Sequence, residues 1–216
     1  MKKSFVSPVS LVAAVDVVAD YDLGHYFHVL SNSYGVDNGY HNVRHGLHVM
    51  MECYRAIRWY NITDFVRVRS FLIAALLHDL NHPGMKREDS LNIIHTTNSI
   101  ASNLLPEDEQ LSGQISEYVW FTEFPQKPVP ENLFAGIIQD ADRTQAFSGE
   151  GYVSEIFIGL AAEWGVSPDA KHIQGQIDFL KSISWKSDWA QHVYPQEVID
   201  AKIAEYQQWM QMLSAA

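Results

Sequence analysis

Cysteine is nearly absent. Cys53 stands alone among 216 residues, which excludes an internal disulfide and any paired Cys-x-x-Cys zinc knuckle. Its apolar helical surroundings mark it as a small buried hydrophobe, and the cytoplasm is the expected compartment. No stretch approaches 18 consecutive apolar residues, so no membrane span is expected. The start Met1-Lys2-Lys3-Ser4-Phe5-Val6, followed by Leu11 to Val15, has the charged-then-apolar order of an export signal, but Pro8 and Ser10 interrupt the run and Asp16 ends it. Basic residues are few: 15 Lys and Arg stand against 26 Asp and Glu, for a net charge of −11. That balance excludes a broad electrostatic footprint for a nucleic-acid polymer, and an anionic substrate has to be attracted locally. The chain also lacks a Gly-x-x-x-x-Gly-Lys phosphate loop and a Gly-x-Ser-x-Gly nucleophile elbow.

Apolar residues are plentiful, at 47%. The length fits one domain over residues 1–216, since single cores saturate only above about 250 residues. Apolar positions recur at helical spacing and alternating runs are scarce, which predicts an all-α, multi-helix fold. Helices are expected at Val9–Ala19, His25–Ser31, His41–Tyr60 and from a Thr63-Asp64 cap to His78-Asp79, where Pro83-Gly84 stops the chain. Further helices are expected at Glu88–Leu104, Glu107–Phe121, Glu131–Ala146, Val153–Trp164, Asp169–Ile183 and Pro195–Leu213. Pro125, Pro128 and Pro130 make a short rigid connection. The six tryptophans are scattered, which suits packing better than one base-stacking platform. Trp209, Met210 and Met212 leave the oligomeric state open.

Two motifs stand out: Tyr40-His41-Asn42-Val43-Arg44-His45, and His78-Asp79-Leu80-Asn81-His82-Pro83-Gly84. His41 and His45, four apart, share one face if both lie on the helix, and His48 extends it. A His-Asp pair behind the apolar run Leu72 to Leu77 puts a carboxylate at a buried helix end. Such a charge needs a partner, and a metal ion is the most economical one. Imidazole and carboxylate ligands suit zinc, manganese or iron, and magnesium takes the carboxylates.

These residues resemble the HD-domain metal phosphohydrolase superfamily. Within it they are most similar to the catalytic domain of 3′,5′-cyclic nucleotide phosphodiesterases, with their Tyr-His-Asn-x-x-His and His-Asp-x-x-His-x-Gly patterns. The similar span runs from about Tyr40 to Ala146. The resemblance implies a compact HD-type helical fold and hydrolysis of a small phosphoester, most plausibly a cyclic nucleotide, with one or two divalent ions activating water. It implies His45, His78, Asp79 and Asp142 as metal ligands, Asp79 also bridging to a second ion. Asp140 is the alternative to Asp142, because a two-residue step on a helix is about 200° and both cannot face one metal. His41 corresponds to the general acid that protonates the leaving ribose oxygen, and His82 to a residue orienting the centre from behind.

The chain departs from the family in places. Asn92 stands near the family's catalytic glutamate; Asp89, Asn92 and His95 are expected to share a face toward the site. Met85-Lys86-Arg87 replaces the usual asparagine after Pro83-Gly84. Gln174 and Gln176, beside Phe179, are the candidates for a purine-gripping glutamine. A nucleotidase or deoxynucleotide phosphohydrolase, a degenerate nucleotide-binding sensor, and a di-iron oxygenase using His82 and His95 are the competing readings.

Overall fold

The computed structural model describes residues 11–86, 88–105, 108–125, 132–148 and 153–215. The start Met1 to Ser10, Arg87 and most of the proline-rich connection lie outside the described residues. Those described are helical, with no strand among them: α1 (Leu11–Asp20), α2 (Gly24–Ser31), α3 (Val43–Trp59), α4 (Phe65–Leu77), α5 (Asp89–Ser99), α6 (Glu109–Trp120), α7 (Leu133–Arg143), the single turn α8 (Ala161–Glu163), α9 (Ala170–Ser182), α10 (Asp188–Val193) and α11 (Gln196–Ala215). Among them no helix is long and apolar enough to cross a membrane.

The all-α expectation holds, and the local chemistry accounts for the boundaries. Asp64 caps α4 by accepting from the Arg67 amide, as expected. Asp108 and Asp169 do the same for α6 and α9. The helix expected at His41–Tyr60 starts later, because the Asn42 side chain accepts from the amides of Arg44 and His45 and so caps α3. His41 therefore lies outside the helix, and His41 and His45 do not share a helix face. The segment expected as one helix over Val153–Trp164 opens with a wider π-type stretch, Val153–Leu160, before α8.

The core centres on α4, in which every residue from Ser70 to Leu77 is buried. It packs against α2, α3 and α6. Each fully buried Leu, Ile or Phe there contributes about 1.5–3 kcal/mol. α3 and α4 meet closely at Gly46: a Cβ there would sit 2.7 Å from the Leu76 carbonyl oxygen. The missing side chain thus lets His45 and His78, next to this crossing, face each other.

The C-terminal helices are tied on by polar links. Asp140 on α7, fully buried, accepts from the amides of Lys186 and Ser187, from the Ser187 hydroxyl and from Arg143. Tyr194 donates to Glu52 of α3 at 3.0 Å, and Arg55 pairs with the same carboxylate. Burial raises the Glu52 pKa even so.

Candidate metal centre

α3 supplies His45, the end of α4 supplies His78 and Asp79, and the last turn of α7 supplies Asp142. The two imidazole Nε2 atoms lie 3.2 Å apart. Asp79 Oδ2 is 3.0 Å from His78 Nε2 and 3.3 Å from His45 Nε2. Asp142 Oδ1 is 3.1 Å from His45 Nε2 and 3.3 Å from His78 Nε2. Ligand atoms about 2.0–2.2 Å from a common ion are about 3.0–3.4 Å from their neighbours, so the spacing of His45, His78 and Asp79 fits a metal polyhedron, with Asp142 close to both imidazoles.

The far side of each ring carries the same message. His78 Nδ1 donates to the Ala75 carbonyl at 2.9 Å, and His45 Nδ1 donates to Gln145 Oε1 at 2.6 Å. Each bond fixes the tautomer that turns an Nε2 lone pair toward the carboxylates, the usual outer arrangement of metal-ligating histidines. His48 is different. The Thr144 hydroxyl donates to Ala141 and so accepts from His48 Nε2, which leaves that ring a packing role.

Electrostatics agree with an unmet demand for positive charge. Burial pulls the His45 pKa down, but the Asp142 and Asp79 carboxylates outweigh it and hold it up at about 9. His78 is likewise raised, burial being overcome by Asp79 and Asp142. Burial pushes both carboxylates up, and the imidazoles reverse this, leaving Asp79 and Asp142 well below the usual range. Burial drives His48 down to about 3, with His45 adding to it. Protons on His45 and His78 thus do what a divalent cation would do better.

The alternative ligand Asp140 is excluded by its place in the fold, since its carboxylate is consumed by Arg143, Lys186 and Ser187 on another face of α7. Asp142, and not Asp140, reaches the two imidazoles.

Beside the centre lie His41, His82 and Glu163, with ligand atoms all within 4.8 Å of one another. His41 Nδ1 is 2.5 Å from Glu163 Oε2, and Glu163 Oε1 accepts from the amides of Tyr40 and His41. Burial raises the Glu163 pKa, but the His41 side chain outweighs it and leaves the carboxyl below its usual value, hence ionised. The His41 and His82 rings are stacked, 3.8 Å between centroids at 26°. Stacked rings hold their in-plane lone pairs side by side, so they suit proton handling better than chelation of one ion. Glu163 escaped the sequence reading, because Ala161-Ala162-Glu163 carries no local signal. What brings it to His41 is a backbone contact, for a Cβ on Gly39 would lie 2.6 Å from Gly159.

Chain reversal at Asn81, in the left-handed region at φ 62, returns His82 to the site. His82 Nδ1 accepts from the Gly84 amide at 3.1 Å, and its Nε2 lies 2.9 Å from the Asn92 amide nitrogen. Asp89 and Asn92 face the site as expected, but His95 does not: it is exposed, because α5 turns that position outward. The histidine pair needed for a second iron is therefore not assembled.

His41, His78, Asp79, His82, Asn92 and Asp142 form the floor and wall of a cavity of about 800 Å³. Its upper wall includes Phe124, Ile156, Leu160, Gln176 and Phe179. Of the two glutamine candidates, Gln176 lines the cavity, while Gln174 is exposed and bonds to Asp178. Lys86 lies over the Trp164 ring at 5.5 Å, on the rim.

Residues 40–103 match the family model described as 3'5'-cyclic nucleotide phosphodiesterase. That segment, less than a third of the chain, contains His41, His45, His78, Asp79, His82 and Asn92. Asp142, Glu163 and Gln176 lie beyond it in sequence and join it in space. No curated protein matches the chain.

Proposed function

We propose, because residues 40–103 match the 3'5'-cyclic nucleotide phosphodiesterase family model, that the chain is a metal-dependent phosphodiesterase acting on 3′,5′-cyclic nucleotides in the cytoplasm. His45, His78, Asp79 and Asp142 would hold a divalent ion, zinc, manganese, magnesium or iron, and Asp79 would also serve a second. The observation that carries this reading is the pair of imidazoles, both donating Nδ1–H outward and both aiming Nε2 within 3.3 Å of two carboxylates.

A divalent ion held there supplies Lewis acidity toward a phosphoryl oxygen and acidifies water. The protein's own groups do the rest. His41, held at Nδ1 by Glu163, keeps Nε2 for protonating the leaving ribose oxygen. Glu163 orients the ring and offers a negative partner to its protonated form. His82 backs the ring of His41. Gln176 and Phe179, one turn apart on α9, offer a purine an amide edge and an aromatic face opposite Ile156 and Leu160.

Charge favours a cyclic diester over the nucleotidase alternative. Besides the ligands, Glu88, Asp89, Glu123 and Asp178 line the cavity, while of the two cations among the described lining residues Arg143 is paired with Asp140. A singly charged diester meets less repulsion there than a mono- or triphosphate. Chromatography of products from cyclic nucleotides, nucleoside monophosphates and triphosphates tests this. Ring opening of a cyclic nucleotide to the monophosphate, with no further dephosphorylation, is expected. Phosphate release from mono- or triphosphates with the cyclic compounds left intact would overturn it.

A further inference from the structure

The structure gives Asn92 a specific set of neighbours. It is buried on the first turn of α5, with its amide nitrogen donating to Asp89 Oδ1 at 3.1 Å and lying 2.9 Å from His82 Nε2. Asp89 is itself anchored, since its other oxygen accepts from the Phe124 amide at 2.7 Å. On its opposite edge the His82 ring meets the Gly84 amide at Nδ1. A neutral imidazole accepts at only one nitrogen, so with Nδ1 accepting from Gly84 the Asn92 amide nitrogen stands against Nε2 as a close polar contact. The ring is thus hydrogen-bonded at one edge and flanked by the Asn92 side chain at the other.

One face of that ring lies against His41. The Glu163 contact alone holds His41 at a single edge and leaves the imidazole free to tilt about that bond. A flat ring 3.8 Å away, itself unable to turn, removes the tilt. We propose that Asp89 and Asn92 are positioning residues for the acid step: they fix the plane of His82, which fixes the plane of His41. Asp89, one turn earlier and anchored by the Phe124 amide, supplies the oxygen that holds the Asn92 amide. The proposal rests on His41 being the acid that protonates the leaving oxygen.

The test uses the full-length, metal-loaded protein and its Asn92→Ala, His41→Ala and doubly substituted forms. Steady-state kinetics are measured on a 3′,5′-cyclic nucleotide, whose alkoxide leaving group needs a proton, and on bis(p-nitrophenyl) phosphate, whose leaving group does not. Asn92→Ala is expected to lower kcat on the cyclic nucleotide by about tenfold or more and to change the aryl diester rate by less than about threefold. Metal content is expected to stay unchanged, and the substitution to cost nothing further in the His41→Ala background. Asn92→Asp, of the same size, restores the ratio between the two substrates. Asp89→Ala reproduces the Asn92→Ala pattern, and replaces it as the test should Asn92→Ala not fold.

Equal losses on both substrates, or losses that multiply in the double variant, would overturn the positioning role while leaving His41 as the acid. If His41→Ala itself treats the two substrates alike, the acid assignment falls, and this proposal with it.

Discussion

The carboxylate of Glu163 lies 2.5 Å from Nδ1 of His41, across a separation of 122 positions in the chain. Glu163 is nearly buried, its side chain only 4% exposed, whereas the His41 side chain, at 20%, reaches the cavity. One partner is therefore an anchor and the other a working group. Removing the anchor's charge leaves the imidazole in place without its orientation.

Glu163→Gln is expected to lower kcat on a cyclic nucleotide by about a hundredfold, with KM changed little, because a positioned acid contributes about 10²–10⁴-fold. Steady-state kinetics check this. A change confined to KM would assign Glu163 to substrate binding instead.

Asp142 and Asp140 separate function from stability. Asp142→Ala is expected to release the metal while the protein stays folded. Asp140→Ala leaves Arg143 buried without its partner and costs about 3–5 kcal/mol of stability, yet the molecules that remain folded keep their metal. Denaturant unfolding and metal analysis on both variants check the pair of outcomes.

Metal affinity is expected to rise with pH. Without the ion, His45 holds its proton up to about pH 9, so a cation must displace that proton at neutral pH. Calorimetric zinc titration in buffers of different ionisation heat should show proton release at pH 7 and less of it above about 9. In the metal-free protein the same shift upward from 6.5 stabilises the fold fully below that value and is lost as pH climbs through about 9. Thermal unfolding of chelated protein between pH 6.5 and 9.5 should show the decline, and zinc should abolish it.

Gly46→Ala is expected to push α3 from α4 and weaken metal binding together with stability. Its Cβ would meet a backbone oxygen at 2.7 Å and the Leu30 side chain at 2.9 Å, and a backbone oxygen gives way poorly. Overpacking of this kind costs about 1–3 kcal/mol. An unchanged unfolding midpoint with unchanged metal affinity would show that the crossing has slack.

Much of the centre was legible because its signals are local. An apolar run ending in His78-Asp79 and a cap at Asp64 each depend on neighbours within a turn or two, whereas Asp142 was singled out by resemblance to a family pattern. His41 was placed on a helix because spacing cannot reveal that Asn42 spends its side chain capping α3. His95 was turned inward on periodicity alone, although only packing decides which stripe of α5 is covered. Glu163 was invisible because its role arises from a glycine-to-glycine contact between distant segments. The short helix α10, with Trp189 buried, was missed because six residues give too little period to read.

The most direct test is elemental analysis of the purified protein and its Asp79→Ala variant, run beside turnover of a cyclic nucleotide. At least one divalent ion per chain is expected in the unsubstituted protein, and neither ion nor turnover in a variant that still unfolds cooperatively. Undiminished turnover by a metal-free Asp79→Ala protein would contradict the account.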